Sequence, residues 1–383
     1  MYNILKLNEI SPLVNNVLTN DYNLTNECAT PDGIMLRSFK MHDYPIPESL
    51  LAVARAGAGV NNIPLDKMTD NGIVVFNTPG ANANAVKELV LTDMLISNRK
   101  IADAIDWTNK LDPQSDVAAL VEKGKKAFIG PEIFGKTLGV VGLGAIGRMV
   151  ANACIDLGMS VIGYDPYLSE DAAKALNNNV KVTKDLNDIF KNSDYITVHV
   201  PLTDSTKYMI NKDSIAIMKD NVRIINCARG ELVNNADIIE ACEQGKVAKY
   251  VTDFPCGELL GKKNIIAIPH LGASTPEAED NCAVMAANEL KDYLENGNIV
   301  NSVNFPRITV AKTNNDRLTI AYKNNDNMAS EVTALVSSNM ANIATATRGN
   351  VGYIIIDLKK SIDSKTLDTI QKLNGVLKVR VID

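Results

Sequence analysis

The stretch LGVVGLGAIGRMVANACIDLG (138–158) constrains the fold of this chain more than any other feature. An apolar strand runs into Gly142, Gly144 and Gly147, and a helical pattern opens around Ala145 and Ile146. In G-x-G-x-x-G placed between strand and helix, the glycines serve a tight turn, a close backbone approach to a ligand and close helix–sheet packing. The helix then presents free N–H groups to an anion. Asp165 ends the next strand, SVIGYD, where an acid accepts hydrogen bonds from the adenosine ribose hydroxyls of a dinucleotide. A carboxylate there repels a 2′-phosphate, and no Arg follows in DPYLSE, so NAD rather than NADP is the expected cofactor.

The flanking sequence repeats the strand–helix alternation. Before Asn98, ILKLNEI, IMLRS, LLAVARAG and IVVFNTPG read as buried parallel strands. A helical pattern from Asn84 to about Thr108 and a Gly- and Lys-rich crossover (EKGKKAFIGPEIFGK) then lead to TLGVVGLG, SVIGYD, KVT, YITVHVP, VRIINCA, KYVTDF and NIIAIPH. Pro276 to Asn296 forms one long amphipathic helix ending near Gly297 and returns the chain to the first unit. After NFPRI, the order strand, helix, strand, strand, helix, strand is ferredoxin-like. The expected fold is α/β: two Rossmann- or flavodoxin-like parallel-sheet domains plus a ferredoxin-like βαββαβ domain. The boundaries are 1–98 with 283–306, 99–282, and 312–383.

Three polar residues stand near strand ends in the second half of the central sheet: Arg229 in NCARG, Glu258 after VTDFPCG and His270 in IPHLGAS. Ligands bind outside the carboxyl ends of such strands. Arg offers a planar fork for a carboxylate, and imidazole titrates nearest neutrality, as an acid/base must. Of the three histidines, His199 lies inside an apolar strand and His42 in a polar loop, which leaves His270. A carboxylate such as Glu258 beside it would favour the imidazolium and fix the tautomer. Asp253, Glu277 and Glu279 are the other acids nearest in sequence. In the first unit, ARAGAGVNNI carries Gly57 and Gly59, whose N–H groups can cradle an anion.

NCARGELV, the Asp253 to Glu258 segment and PHLGAST, in this order, resemble the D-2-hydroxyacid dehydrogenase family, and the match runs from Ala52 to Asn304. The resemblance implies that Arg229 holds the substrate carboxylate or carbonyl, His270 is the acid/base and Glu258 pairs with it. It places Asp253 at the nicotinamide carboxamide, and Ala58, Val200, Cys227, Ala228 and Gly272 along the cofactor. The loop around Gly57 and Gly59 would take the substrate carboxylate. Arg37 and Arg55 resemble positions where members acting on 3-phosphoglycerate place cations near the phosphate, with Lys125 or Lys126 as further candidates. This sequence departs from the family at Leu259, where Pro is usual, and in a shorter connection to His270.

The tail resembles an ACT domain, a module that pairs across subunits and binds amino acids at the seam. It implies a homodimer or homotetramer and an L-serine effector at Asn324 and Asn342. Tyr322 replaces the usual His there, and Asn325 to Asn327 replace the usual RPG turn. Lactate, glyoxylate or hydroxypyruvate and 2-oxoglutarate reductases share the catalytic residues, while family formate dehydrogenases carry Gln where Glu258 stands. A non-enzymatic NAD-sensing corepressor is the reading from another class, against which Arg229, Glu258 and His270 all stand intact.

Composition excludes other classes. A net charge of −6 over 383 residues disfavours nucleic-acid binding, which needs clustered Lys and Arg. No apolar run is long enough for a membrane span, and the N-terminal MYNILKLNEISP is too polar for a secretory signal. Six scattered cysteines without a C-x-x-C pair fit free thiols in the cytoplasm and no metal site.

Overall fold

The computed structural model describes residues 1–382, which divide into two compact units, 1–82 with 276–382, and 83–275. In the first unit, β1 (Tyr2–Lys6), β2 (Tyr22–Thr25), β3 (Gly33–Leu36), β4 (Ala52–Arg55) and β5 (Val74–Phe76) form a parallel sheet in the order β2-β1-β3-β4-β5. This is the flavodoxin-like arrangement. Every residue of β3 and β5 is buried, as expected of apolar runs in a sheet covered on both faces. Helix α1 (Leu65–Asp70) leads into β5. Strand β2, absent from the sequence reading, is a polar edge strand whose one buried side chain is Tyr22.

The second unit opens with α2 (Ala83–Ile96), α3 (Ile101–Asn109) and α4 (Val117–Gly124). The single helix expected to run to Thr108 is broken because Lys100 adopts a left-handed conformation (φ 50°). Helix α4 occupies part of the stretch read as crossover; Asp116 caps it by accepting from the Ala119 N–H. Then come β6 (Thr137–Val141), α5 (Ala145–Asp156), β7 (Ser160–Tyr164), α6 (Glu170–Lys174), β8 (Val180–Thr183), α7 (Leu186–Asn192) and β9 (Tyr195–Val198). Next are α8 (Lys212–Ala216), β10 (Val222–Asn226), α9 (Asn235–Gln244), β11 (Val247–Thr252) and β12 (Ile265–Ala267). The seven strands are parallel in the order β12-β11-β10-β9-β6-β7-β8, so the order reverses between β6 and β9. That is the doubly wound Rossmann arrangement, with its switch point at the end of β6. The division places α2 in this unit, where the sequence reading had put it in the first. Its Val86, Val90 and Met94 pack with Leu138, Val140, Val150 and Ile225 of the central sheet and α5.

Helix α10 (Pro276–Asn296) returns the chain to the first unit and stops before Gly297, whose φ of 70° a side chain would disfavour. The remaining strands, β13 (Arg317–Lys323), β14 (Met340–Arg348), β15 (Val351–Leu358) and β16 (Val376–Ile382), pair antiparallel in the order β14-β15-β13-β16. With α11 (Met328–Val336) and α12 (Ser364–Gln371) they complete the βαββαβ module.

One face of that sheet packs under α11 and α12 through Leu318, Ile320, Val332, Ile354 and Ile370. The other face was expected to belong to a separate domain. Instead Ala321, Val351, Tyr353 and Ile355 share a core with Ile4, Leu290, Tyr293 and Phe305. Two arginines, Arg317 buried and Arg380 half-buried, secure the junction. Arg317, fully buried, lies 2.8 Å from the Asp357 carboxylate and donates to the carbonyls of Asn296, Val310 and Ala311 at 2.8 to 3.0 Å. Arg380 donates to the carbonyls of Tyr293 and Leu294 and lies over the Tyr293 ring. Both supply donors to carbonyls in the last turn of α10, where Tyr293 also accepts from the Gly297 N–H and Leu294 from the Tyr2 hydroxyl.

Candidate active site

The loop after β6 is built from close contacts. Gly142 has φ 92°, and a side chain there would come within 2.6 Å of the His199 carbonyl beyond β9. A side chain on Gly147, in the first turn of α5, would overlap the Gly142 carbonyl. Gly144, the N-cap of α5, has no atom within 4 Å of the corresponding position, so this side of the turn is open to a ligand. Ala145 and Ile146 begin the helix. Asp165, following β7, accepts from the Leu143 N–H through one oxygen and the Tyr167 N–H through the other, both at 2.9 Å. Each oxygen keeps a lone pair for a hydroxyl. An open glycine face, a helix N-terminus and a carboxylate at the next strand end fit the pyrophosphate and ribose of a dinucleotide.

The neighbouring strand ends in this unit carry the ionisable groups. Asp253 follows β11 and is fully buried; its Oδ2 lies 3.3 Å from Nδ1 of His270, whose side chain is 61% exposed. This approach lifts the His270 pKa above its ordinary value, against the opposing influence of burial and of the Arg229 charge. Arg229 therefore acts electrostatically on the imidazole; its Nη1 also donates to the Ala228 carbonyl at 2.6 Å. Phe254 packs on the imidazole with ring centroids 4.8 Å apart. Gly272 sits against the Asp253 carboxylate, where a side chain would meet Oδ2 at 3.5 Å.

Glu258, expected beside His270, has its carboxylate accepting from Asn235 Nδ2 at 3.0 Å, at the start of α9, while Asp253 is the acid that approaches the imidazole. Leu259, where the family has Pro, is buried with Ile238, Cys242 and Tyr250 and so holds the short connection against α9. Asp253 itself was expected at the nicotinamide carboxamide.

Behind Asp253 lies a residue that the sequence reading missed. Asp93, on α2 and fully buried, has Oδ2 3.1 Å from Sγ of Cys227, and burial lifts its pKa to about 6. Its one sequence signal was a lone acid in the apolar run VLTDMLI. His199, beside Val200, contacts Thr197 Oγ1 through Nε2 at 3.0 Å, and desolvation lowers its pKa to about 4, so it stays neutral.

The remaining candidates belong to the first unit. The Ala58 carbonyl accepts from Asn77 and that of Gly57 from the Thr78 N–H, which fixes the turn that continues to Gly59. Arg37 Nη1 lies 2.5 Å from Glu279 Oε1, and the charges of Arg37 and Arg55 both bear on the buried Cys282 thiol. Glu279 and Glu277 thus stand on α10. Asn324 and Asn342 are not brought together within one chain. Asn324 pairs with Asn350 next to the start of β15, while Asn342 is registered with Asp357 near its end.

Fold and site together define a doubly wound dinucleotide-binding protein with a carboxylate–imidazole pair at the strand ends. Residues 91–272 match the family model for the D-isomer specific 2-hydroxyacid dehydrogenase, NAD binding domain. A hydroxypyruvate reductase of Thermotoga maritima is 40% identical over 244 residues, 61% of this chain and 74% of that protein. A D-3-phosphoglycerate dehydrogenase of Methanocaldococcus jannaschii is 38% identical over 274 residues, 69% of this chain and 49% of that protein. Among solved structures, an NAD+-bound 3-phosphoglycerate dehydrogenase from Entamoeba histolytica is similar with a TM-score of 0.61 and 24% identity, over 79% of this chain and 98% of that one.

The chain belongs to the D-isomer specific 2-hydroxyacid dehydrogenases, and NAD is its cofactor. It spans about half the length of most of the curated phosphoglycerate dehydrogenases it matches. Among the described residues, no helix is long and apolar enough to cross a membrane.

Proposed function

We propose that this protein is an NAD-dependent dehydrogenase that interconverts a D-2-hydroxy acid and its 2-oxo acid, with 3-phosphoglycerate and 3-phosphohydroxypyruvate as the pair, the first step of serine biosynthesis. The observation that carries the chemistry is the 3.3 Å approach of the buried Asp253 carboxylate to the exposed His270 imidazole. Bound NAD would supply the acceptor for the hydride that leaves C2. His270, with Nδ1 turned to Asp253, takes the hydroxyl proton on Nε2, and the carboxylate stabilises the imidazolium that forms. In the reverse direction the same imidazolium returns the proton to the carbonyl oxygen. Arg229 orients the substrate carboxylate through its planar fork. Gly142, Gly144 and the N-terminus of α5 receive the pyrophosphate and Asp165 the ribose, while Asp253, Cys227, Ala228, Val200 and Gly272 line the nicotinamide side.

The phosphorylated substrate is favoured by the relatives that bear the phosphoglycerate dehydrogenase name, by the ACT-like module, and by Arg37 and Arg55, whose charges both bear on Cys282. The same module supports a homodimer or homotetramer with serine bound at a seam between copies, and six free cysteines suit a cytoplasmic setting. NADH consumption with 3-phosphohydroxypyruvate, hydroxypyruvate, pyruvate and 2-oxoglutarate tests the reading. The phosphorylated compound should give the highest kcat/KM. Preference for an unphosphorylated acid refutes the substrate assignment, and no turnover of any of them refutes the activity.

A further inference from the structure

Arg37 sits at the carboxyl end of β3, where Asn8 Oδ1 accepts from the N–H groups of Arg37, Ser38 and Phe39 at 2.8 to 3.1 Å. That clamp fixes the backbone from which the guanidinium reaches out. Its partner is Glu279 in the first turn of α10, with the two side chains 36% and 45% exposed. The adjacent Asp280 is engaged elsewhere, accepting from Ser11 Oγ at 2.5 Å. The cation placed for an incoming anion is therefore already occupied by an internal one.

An ion pair this exposed is weak and exchangeable. A phosphate dianion carries more charge than a carboxylate and offers the same fork geometry to a guanidinium. It would also gain from the positive end of α10, the feature that favours Glu279 in its first turn. We propose that Glu279 is a built-in competitor for Arg37, displaced when a substrate phosphate binds. It weakens phosphate binding selectively and so sets the discrimination between phosphorylated and unphosphorylated hydroxy acids. This inference rests on the phosphorylated-substrate reading above.

Glu279→Gln tests it in steady-state kinetics at low ionic strength. KM for 3-phosphoglycerate should fall about two- to five-fold, the range that an exposed ion pair represents. Its kcat, and KM for hydroxypyruvate in the reductive direction, should stay unchanged. Added salt should shrink the difference, because exposed charges are screened. In an Arg37→Gln background the same substitution should have no effect on KM. An unchanged KM for 3-phosphoglycerate in a wild type that prefers the phosphorylated acid refutes the competitor role alone. A raised KM also refutes it, and shows instead that Glu279 positions Arg37 for the phosphate. A wild type indifferent to the phosphate refutes the substrate reading and this inference with it.

Discussion

Replacing Arg317 with Met isolates the buried junction between α10 and the C-terminal sheet. Met retains most of the apolar stem and removes a guanidinium that is fully buried and makes four hydrogen bonds. Asp357, 2% exposed, would be left as a buried carboxylate without its cation. Breaking one side of such a pair costs about 3–5 kcal/mol. The carbonyls of Asn296, Val310 and Ala311 lose donors at the same time, which places the expected loss near the top of that range. Domains are stable by about 5–15 kcal/mol, so the first unit would forfeit a third or more of its stability. In urea, with a slope of about 1–3 kcal/mol per molar, its midpoint should drop by about 1.5 M or more.

Circular dichroism follows the unfolding, and the single tryptophan, Trp107, reports the second unit as an internal reference. Asp357→Asn, which leaves the arginine its three carbonyl partners, should cost about 1–3 kcal/mol. The double substitution Arg317→Met with Asp357→Leu should recover most of the loss, because a buried ion pair is replaceable by packed apolar groups. A loss below about 1 kcal/mol for Arg317→Met, or a double variant no more stable than it, would refute the reasoning.

Asp253→Asn removes the main influence that raises the His270 pKa. Oxidation requires the neutral imidazole, so the rising limb of the pH–kcat/KM profile should move to lower pH, with activity reduced about 10–100-fold. Glu258→Gln should leave that limb in place; the opposite pattern would restore Glu258 as the partner of His270. The same pairing contributes stability that is complete below the ordinary His pKa and lost as pH rises through the raised one, so Asp253→Asn should flatten the pH dependence of Tm across that window. Asp165→Ala should lower the NAD to NADP ratio of kcat/KM and, because Asp165 braces the Leu143 N–H, weaken NAD binding in a fluorescence titration. An unchanged ratio would contradict the ribose assignment.

The nucleotide-binding turn was legible because its determinants are local: Gly142, Gly144 and Gly147 fall within six residues, and Asp165 closes the following strand. Parallel sheets were legible from unbroken apolar runs such as GIML and VVF. The acid that approaches His270 was not, because four acids, Asp253, Glu258, Glu277 and Glu279, surround that region in sequence and the choice depends on the path of a loop. Leu259 lies on that path, buried in the core with Ile238 and Cys242, a contact that the sequence does not reveal. Asp93 escaped for the same reason: its meaning comes from α2 packing beneath β10, a contact between segments 134 residues apart. The boundary at Ala83 and the core shared by the C-terminal sheet were equally invisible, since an apolar face does not name the surface that will cover it.

Helix α10 has 21 residues and so is a rod about 30 Å long. Arg317 and Arg380 grip its last turn, while its opposite tip bears Glu279. The C-terminal sheet therefore fixes where one end of this helix lies, and the same helix carries at its other end the carboxylate that faces Arg37.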